Sequence, residues 1–159
     1  MDAFERVQVL REKDPTNFNT LASTLINFHY SNDGHFLHQS HPTIELDHSS
    51  STVRYINYSP PFQAPFPLDT PPDVWKALKV FTSLIEEQPS RFEYTMQEGN
   101  AVIFDNRRVL HARSAFWSKD ATGDQQLEAS RWLKGCYLEA DALHDQARML
   151  FSDDHGLTP

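Results

Sequence analysis

Apolar residues recur at helical spacing in four parts of the chain. Near its start, Phe4, Val7 and Leu10 are three residues apart, and Asp2 precedes them as a candidate N-cap. The dipeptide Asp14-Pro15 has the form of a cap followed by proline at the first helical position. The pattern therefore predicts a helix near residues 2–10, a short helix after residue 15, and longer helices over residues 73–87 and 141–151.

Alternating and apolar runs predict the strands. Two early hairpins are expected, "LINFHY" with "HFLHQ" around a turn at residues 31–34, and "TIELD" with "TVRYINY" around a serine-rich turn. Four later runs, "RFEYTMQ", "NAVIFD", "RVLHAR" and "SRWLKGCYLE", also have strand character. Between the two groups, "SPPFQAPFPLDTPP" holds six prolines in fourteen residues, which indicates an extended loop or tether. We predict one domain, residues 1–159, that is mainly β with peripheral helices.

Composition narrows the function classes. The formal net charge of −8 disfavours binding to a phosphate backbone, so we expect a small-molecule substrate and no nucleic acid. The single cysteine, Cys136, excludes an intrachain disulfide framework and a cysteine-based zinc site, and it favours a reducing compartment. No apolar run has the length of a membrane span, and the start "MDAFERVQVL" does not have the form of a signal peptide. We therefore expect no membrane partner.

A histidine and an arginine on consecutive predicted strands suggest a site. His111 alone is best explained as a half-buried strand residue, and Arg131 alone as a surface salt-bridge partner. A strand, a loop and the next strand can nevertheless return Arg131 to His111, with both side chains facing one cavity. A neutral imidazole there can bind a first-row metal, and the guanidinium can bind a carboxylate through two hydrogen bonds. The pair can thus seat a metal-chelating diacid.

A longer pattern surrounds this pair. "GNAVIFDNRRVLHARSAF" and "SRWLKGCYLEADALHDQARML" contain, in order, Gly, an apolar strand, Asp-Asn, Arg-Val-Leu-His, Arg, Gly-Cys-Tyr-Leu, Asp and Ala-Arg-x-Leu. This order resembles the C-terminal half of the iron(II)/2-oxoglutarate dioxygenases of the taurine dioxygenase (TauD/TfdA) superfamily, and within it the γ-butyrobetaine and trimethyllysine hydroxylases. "VRYINY" and the helix around residues 78–81 fit the same pattern. The resemblance runs from Asp2 onward and implies part of a double-stranded β-helix, or jelly roll.

The resemblance implies a role for each candidate residue. His111 matches the distal iron histidine and is the expected catalytic and metal-binding residue, while Arg131 matches the arginine that binds the C5 carboxylate of 2-oxoglutarate. Tyr137 matches an aromatic residue of the cage around the substrate's trimethylammonium group, which has no N–H to donate and is held by ring faces. Without the family, Tyr137 would be an ordinary core tyrosine. Asn57 is expected to keep a polar substrate contact, and Arg113 is expected to be structural.

The implied cofactors are Fe(II) and 2-oxoglutarate, with ascorbate as reductant. The implied reaction hydroxylates an unactivated C–H bond of a small trimethylammonium amino acid such as γ-butyrobetaine or trimethyllysine, as in carnitine biosynthesis. A cytoplasmic or mitochondrial location is expected, and a homodimer is compatible with the resemblance. One departure concerns the substrate: after "RYINY" the chain has Ser59-Pro60-Pro61, where the butyrobetaine-type enzymes tend to have further asparagines or an arginine.

Two of the three expected iron ligands are missing from the pattern. The family takes them from a His-x-Asp motif upstream of the distal histidine, and none of the eight histidines here is followed two positions later by Asp or Glu. His35, His38 and His41 do not suit a shared site, because residues i and i+3 of a strand point to opposite faces. We interpret them as solvated or loop histidines. We also expect Met1 to fall within the family domain, with the strands that carry His-x-Asp and the rest of the aromatic cage outside this chain.

Three explanations remain open. The chain can be the C-terminal part of a dioxygenase whose N-terminal half lies elsewhere, in which case it is inactive alone. It can be a noncatalytic remnant that acts as a ligand-binding or interaction module. It can also be a β-rich domain with accidental similarity, which the length of the matching pattern disfavours.

Overall fold

In the computed structural model, which describes residues 1–87, 92–113 and 133–155, two helices come first, two antiparallel hairpins follow, and two further helices come after them. The chain divides into two compact units, residues 1–113 and 114–159. The first unit contains helices α1 (Ala3–Lys13), α2 (Pro15–Ser23) and α3 (Pro72–Glu86), strands β1 (Leu25–Asn32), β2 (His35–Pro42), β3 (Ile44–Leu46) and β4 (Val53–Ile56), and a 3-10 turn, Pro60–Phe62. The described part of the second unit contains helix α4 (Ala140–His155). The single domain over residues 1–159 stays a prediction.

Aspartates start the first two helices, as the sequence predicts. Asp2 Oδ1 accepts a hydrogen bond from Phe4 N at 3.0 Å, and Asp14 Oδ1 accepts one from Asn17 N at 3.1 Å. Each carboxylate satisfies a backbone N–H that has no partner within its own helix. Pro15, in the first turn of α2, lacks the N–H that such a position would leave unbonded.

Both predicted hairpins are present. Strands β1 and β2 pair antiparallel from Leu25 opposite Pro42 to Asn32 opposite His35. Asp33 and Gly34 both have positive φ, of 50° and 77°, which is the geometry a two-residue hairpin turn with right-handed strand twist requires. Strands β3 and β4 form a separate antiparallel pair, with an irregularity after residue 45.

The core of the first unit forms where the three helices meet β3 and β4. Helices α1 and α2 pack against each other, against α3 and against these two strands. The buried cluster contains Ala3, Val7, Leu10, Phe18, Leu21, Ile44, Val53, Ile56, Ala77 and Phe81. The helices thus supply most of this core, because their apolar stripes cover the inner face of a sheet that has only two strands.

The prediction of four later strands is wrong for the described residues. The described parts of the runs at 91–97, 100–105, 108–113 and 130–139 are not in strands; within them Val109 makes a single bridge with Asp2. A strand persists only where a neighbour accepts its backbone hydrogen bonds and covers its apolar face. Ile103 is 88% exposed, so the described residues do not cover this apolar side chain. Alternation identifies segments suited to β structure, but it does not supply their partners.

The predicted class is supported at a coarse level. The described residues contain antiparallel sheets with helices, which agrees with the expected combination of elements. In residues 1–87, 92–113 and 133–155 the strands form two separate two-stranded sheets. The jelly roll therefore stays a prediction.

The carboxylates at the caps and turns predict acid sensitivity. Four hydrogen bonds from Ser49 and Ser50 to Asp47 hold the pKa of its carboxyl far below the ordinary value of 3.8, and Arg108 and Asn17 lower the pKa values of Asp2 and Asp14. Groups with lowered folded-state pKa values stabilise the fold fully above about pH 4, and this contribution is lost as pH falls through the folded-state values. The free energy of unfolding should therefore decrease below about pH 4.

Urea titrations at pH 7, 5, 4 and 3 measure this decrease. Asp47→Asn keeps an oxygen acceptor in the turn but cannot titrate there. Its pH dependence should be shallower than that of the unsubstituted chain, and parallel curves would contradict the assigned origin.

Candidate functional site

His111 follows a tight turn in the segment "FDNRRVLH", residues 104–111. The carbonyl oxygen of Asp105 accepts hydrogen bonds from Arg108 N at 3.1 Å and Val109 N at 2.8 Å. The turn reverses the chain, so the rings of Phe104 and His111 face each other with centroids 4.6 Å apart and planes inclined by 55°. We call residues 104–111 the histidine turn. Its residues 104–108 are exposed, so burial alone does not fix it.

The start of the chain binds the histidine turn on one side. Ala3 N donates to Arg108 O at 3.1 Å, and Leu110 N donates to Met1 O at 3.2 Å. The Arg108 guanidinium donates to both carboxylate oxygens of Asp2; its Nε lies 3.2 Å from Oδ1 and 3.1 Å from Oδ2. The same guanidinium lies over the ring of Phe4, 5.3 Å from its centroid. The Asp2 carboxylate thus caps α1 and holds Arg108 at once.

Strands β3 and β4 bind the histidine turn through Arg107. Ile56 N, at the end of β4, donates to Arg107 O at 3.0 Å. The Arg107 guanidinium lies 4.1 Å from the centroid of the Tyr55 ring, close enough for cation–π attraction, and 3.8 Å from Glu45 Oε2. Backbone and side chain of one residue therefore connect the turn to the sheet.

Glu45 is the centre of a polar cluster. Its Oε2 lies 3.3 Å from Asn57 Nδ2, 3.7 Å from His41 Nδ1 and 3.8 Å from the Arg107 guanidinium. Asn57 Nδ2 also donates to Pro42 O at 2.9 Å. The amide nitrogen of Asn57 thus makes two hydrogen bonds within the protein. The substrate role of Asn57 stays a prediction.

His111 offers an accessible imidazole and fits one position of a metal centre. The side chain is exposed, so a ligand-binding nitrogen can be reached from solvent. A complete metal centre also needs further ligands. Within 1–87, 92–113 and 133–155, no three His, Cys, Asp or Glu side chains come together in an arrangement that could hold a metal ion. The described residues do not fit a complete iron site.

The structure does not test the placement of the other two predicted site residues relative to His111. Arg131 lies outside the described residues, so the shared cavity of His111 and Arg131 stays a prediction. Tyr137 belongs to the second unit, and the residue is 87% exposed. An exposed ring face is available for a cation. The cage role of Tyr137 stays a prediction.

The three upstream histidines behave largely as the sequence predicts. They lie on strand β2 rather than in a loop, with His35 and His38 exposed and His41 half-buried beside Glu45. Their positions on β2 alternate between its two faces.

The proline-rich segment agrees with its prediction as a tether, but it also lines a cavity that the sequence did not predict. It is an ordered, extended tether, as expected, and Ala64 N donates to Asn27 O of β1 at 2.9 Å. It also lines an open cavity of about 620 Å³. At this cavity Phe66 meets Trp75 of α3 edge to face, with centroids 4.5 Å apart. Aromatic residues between the prolines were the available signal.

Sequence analysis also missed the residues that fix the histidine turn. Asp2, Arg107 and Arg108 were not assigned to the site, although the two arginines lie four and three positions before His111. Adjacent arginines in an exposed turn are an ambiguous signal, because such residues are usually solvated. Only the fold shows that each has a separate set of partners.

Comparisons with known proteins place these observations in a family context. A family model described as taurine catabolism dioxygenase TauD, TfdA family matches residues 1–137. The chain is 50% identical over 149 residues to "Dioxygenase str8" of Strobilurus tenacellus, covering 94% of this chain and 35% of the relative. It is 34% identical over 145 residues to gamma-butyrobetaine dioxygenase of Pseudomonas sp. (strain AK-1), covering 90% and 36%. It is 26% identical over 122 residues to trimethyllysine dioxygenase of Neurospora crassa, covering 73% and 26%.

These matches share one property: the chain spans about a third or less of each relative's length. The similarity is therefore to part of each relative. Among the described residues, no helix combines the length and the hydrophobicity of a membrane span.

Proposed function

Because the chain belongs to the TauD/TfdA family of dioxygenases, we propose that it is the C-terminal part of an Fe(II)- and 2-oxoglutarate-dependent dioxygenase. The resemblance predicted from the sequence is confirmed by the family match. The observation that carries the proposal is the histidine turn. It lies within the matched residues 1–137 and presents an exposed imidazole from a segment that hydrogen-bonds to β4 and to the start of the chain.

The proposed substrate is a small trimethylammonium amino acid such as γ-butyrobetaine or trimethyllysine. Its support is the similarity to proteins named gamma-butyrobetaine dioxygenase and trimethyllysine dioxygenase, at 26–34% identity. The relative at 50% identity is named only as a dioxygenase. The net charge of −8 suits a cationic ligand.

Each site residue has a distinct task in this proposal. His111 supplies one neutral imidazole ligand, and Arg131 binds the distal carboxylate of 2-oxoglutarate through two charge-assisted hydrogen bonds. Tyr137 offers a ring face to the trimethylammonium group, and Asn57 offers Oδ1 to a polar substrate group. Bound iron and 2-oxoglutarate, with ascorbate as reductant, would supply the oxidising chemistry that no side chain provides.

The rest of the iron site is proposed to come from a segment outside these 159 residues. One histidine cannot replace a three-ligand site, since metal affinity depends on ligand number and geometry. The purified 159-residue chain should therefore bind iron(II) weakly and hydroxylate neither γ-butyrobetaine nor trimethyllysine. Calorimetric titration with iron(II) under anaerobic conditions, and detection of succinate and hydroxylated product, measure the two properties. Turnover by this chain alone would show that it contains further ligands.

The alternative is a noncatalytic ligand-binding module. It is favoured by the finding that the part of the chain described here does not assemble three metal-binding side chains. Fusing the upstream half of a relative to this chain separates the two functions. Hydroxylation by the fusion, and not by the upstream half alone, supports the enzyme; substrate binding without hydroxylation supports the module. A cytoplasmic or mitochondrial location, a homodimer, and the lack of nucleic-acid and membrane partners stay predictions.

A further inference from the structure

We infer that Arg107 and Arg108 are positioning residues for His111, each anchoring the histidine turn to a different element. Arg108 anchors it to the start of α1 through Asp2, and Arg107 anchors it to β3 and β4 through Tyr55 and Glu45. The importance of His111 itself rests on the proposed function. The anchoring of the turn does not, because it is read from contacts in the fold.

The Arg108 anchor uses geometry that lysine cannot reproduce. Two guanidinium nitrogens reach the Asp2 carboxylate, and the planar group also lies over Phe4. A lysine ammonium retains the charge but has neither the fork nor the flat face. The hydrogen bond between the two side chains lowers the pKa of Asp2 and raises the pKa of Arg108. The backbone bonds of Ala3 and Leu110 lie on either side of this pair.

The Arg107 anchor acts on the other flank of the turn. Its carbonyl oxygen accepts from Ile56 N, so any displacement of the turn breaks a bond to β4. Its guanidinium stacks on Tyr55 and lies near Glu45, which Asn57 and His41 also approach. The turn that carries the proposed metal ligand is thus connected to β4, which ends directly before Asn57, the proposed substrate contact.

Two anchors are needed because the turn has little other support. Residues 104–108 and 111 are exposed, and Val109 and Leu110 are only half-buried. A metal ligand has to be held within about 0.5 Å of its productive position, and exposed turns do not meet that requirement unless specific contacts hold them. The ion pair and the stacked guanidinium replace the packing that a buried ligand would have.

Amide hydrogen exchange in the 159-residue chain tests the Arg108 anchor. Asp2→Asn keeps a good N-cap but removes the charge that binds Arg108, so exchange at Ala3 and Leu110 should accelerate about tenfold or more. Asp14→Asn is the matched control, since it makes the same change at the cap of α2 and should leave both amides unaffected. If Asp2→Asn does not fold, Arg108→Lys gives the same comparison with the cap intact. Unchanged exchange at both amides would overturn the anchor.

The Arg107 anchor is tested at a different amide. Arg107→Lys keeps the charge and loses the planar group over Tyr55, so the amide of Ile56 should exchange faster while those of Ala3 and Leu110 change less. Equal changes at all three amides would show general loosening and would overturn the assignment of a separate anchor.

Positioning of His111 is tested in the fusion that carries the upstream half of a relative. Asp2→Asn and Arg107→Lys should each raise the apparent iron(II) requirement about tenfold, with the substrate KM changed less than about twofold. A merely structural role would lower Tm without this split. Faster exchange with an unchanged iron requirement overturns the positioning role. If instead His111→Ala retains turnover, the proposed function fails while the exchange results still stand.

Discussion

His111→Ala is expected to abolish turnover in the fusion that carries the upstream half of a relative. The substitution removes a proposed metal ligand, whereas residues that only hydrogen-bond to a ligand already cost about 10–100-fold when replaced. The loss should therefore exceed about 100-fold in kcat/KM. Because the imidazole is exposed and leaves no cavity when truncated, Tm should change little. Product formation and a thermal melt of the same sample separate loss of chemistry from loss of fold.

His38→Ala is the matched control for this prediction. It makes the same chemical change at an exposed histidine on β2. Its turnover should stay within about twofold of the unsubstituted fusion, as for an ordinary surface change. Retained turnover in His111→Ala would remove the iron-ligand assignment, and equal losses in both variants would point to an effect on folding.

Arg131→Ala should raise the apparent requirement for 2-oxoglutarate far more than the requirement for substrate. In the proposed site the keto-acid end of 2-oxoglutarate depends on the metal, and its distal carboxylate depends on the arginine. Loss of a bidentate, charge-assisted contact in a partly desolvated pocket costs about 2–5 kcal/mol. That corresponds to a rise of about 30-fold to several-thousand-fold in the apparent constant for 2-oxoglutarate. Steady-state rates at varied 2-oxoglutarate, with substrate saturating, measure it.

Tyr137→Ala provides the reciprocal measurement. Loss of a cation–π contact should weaken trimethylammonium binding by about 1–2 kcal/mol and leave the requirement for 2-oxoglutarate nearly unchanged. If neither constant changes in Tyr137→Ala, the cage assignment fails and the betaine substrate class loses its support. If Arg131→Ala raises both constants equally, the arginine is not specific to 2-oxoglutarate.

Local elements of the fold could be predicted because their causes lie within a few residues. Asp2 and Asp14 cap helices that begin one residue later, and Asp33-Gly34 closes a hairpin whose strands are adjacent in sequence. Such signals depend on short-range hydrogen bonds and on backbone conformations that few residues adopt. The strands predicted between residues 91 and 139 needed partners from elsewhere, and periodicity carries no information about those partners.

The candidate site likewise has a part that the sequence predicted and a part that it did not. His111 was identified by the order of residues around it, and the family match confirms the family from which that assignment came. The anchors of its turn could not be predicted, because Asp2 and Arg108 are 106 positions apart and no local pattern links them. Glu45 and Arg107 are likewise brought together only when β3, β4 and the turn have assembled. The sequence therefore indicated the candidate ligand, whereas the contacts that hold its turn could be identified only from the fold.

The carboxylate of Asp2 serves two structures at once, and this sharing makes them cooperative. Its oxygens cap the first turn of α1 and hold Arg108 in the histidine turn. Fraying at the start of α1 removes the geometry that Arg108 needs, and release of Arg108 in turn frees the cap to rotate. Helix end and histidine turn should therefore open in a single local event rather than independently. We therefore expect the conformational freedom of His111 to depend in part on fraying of a helix end more than a hundred residues away in sequence, beside the separate anchor at Arg107.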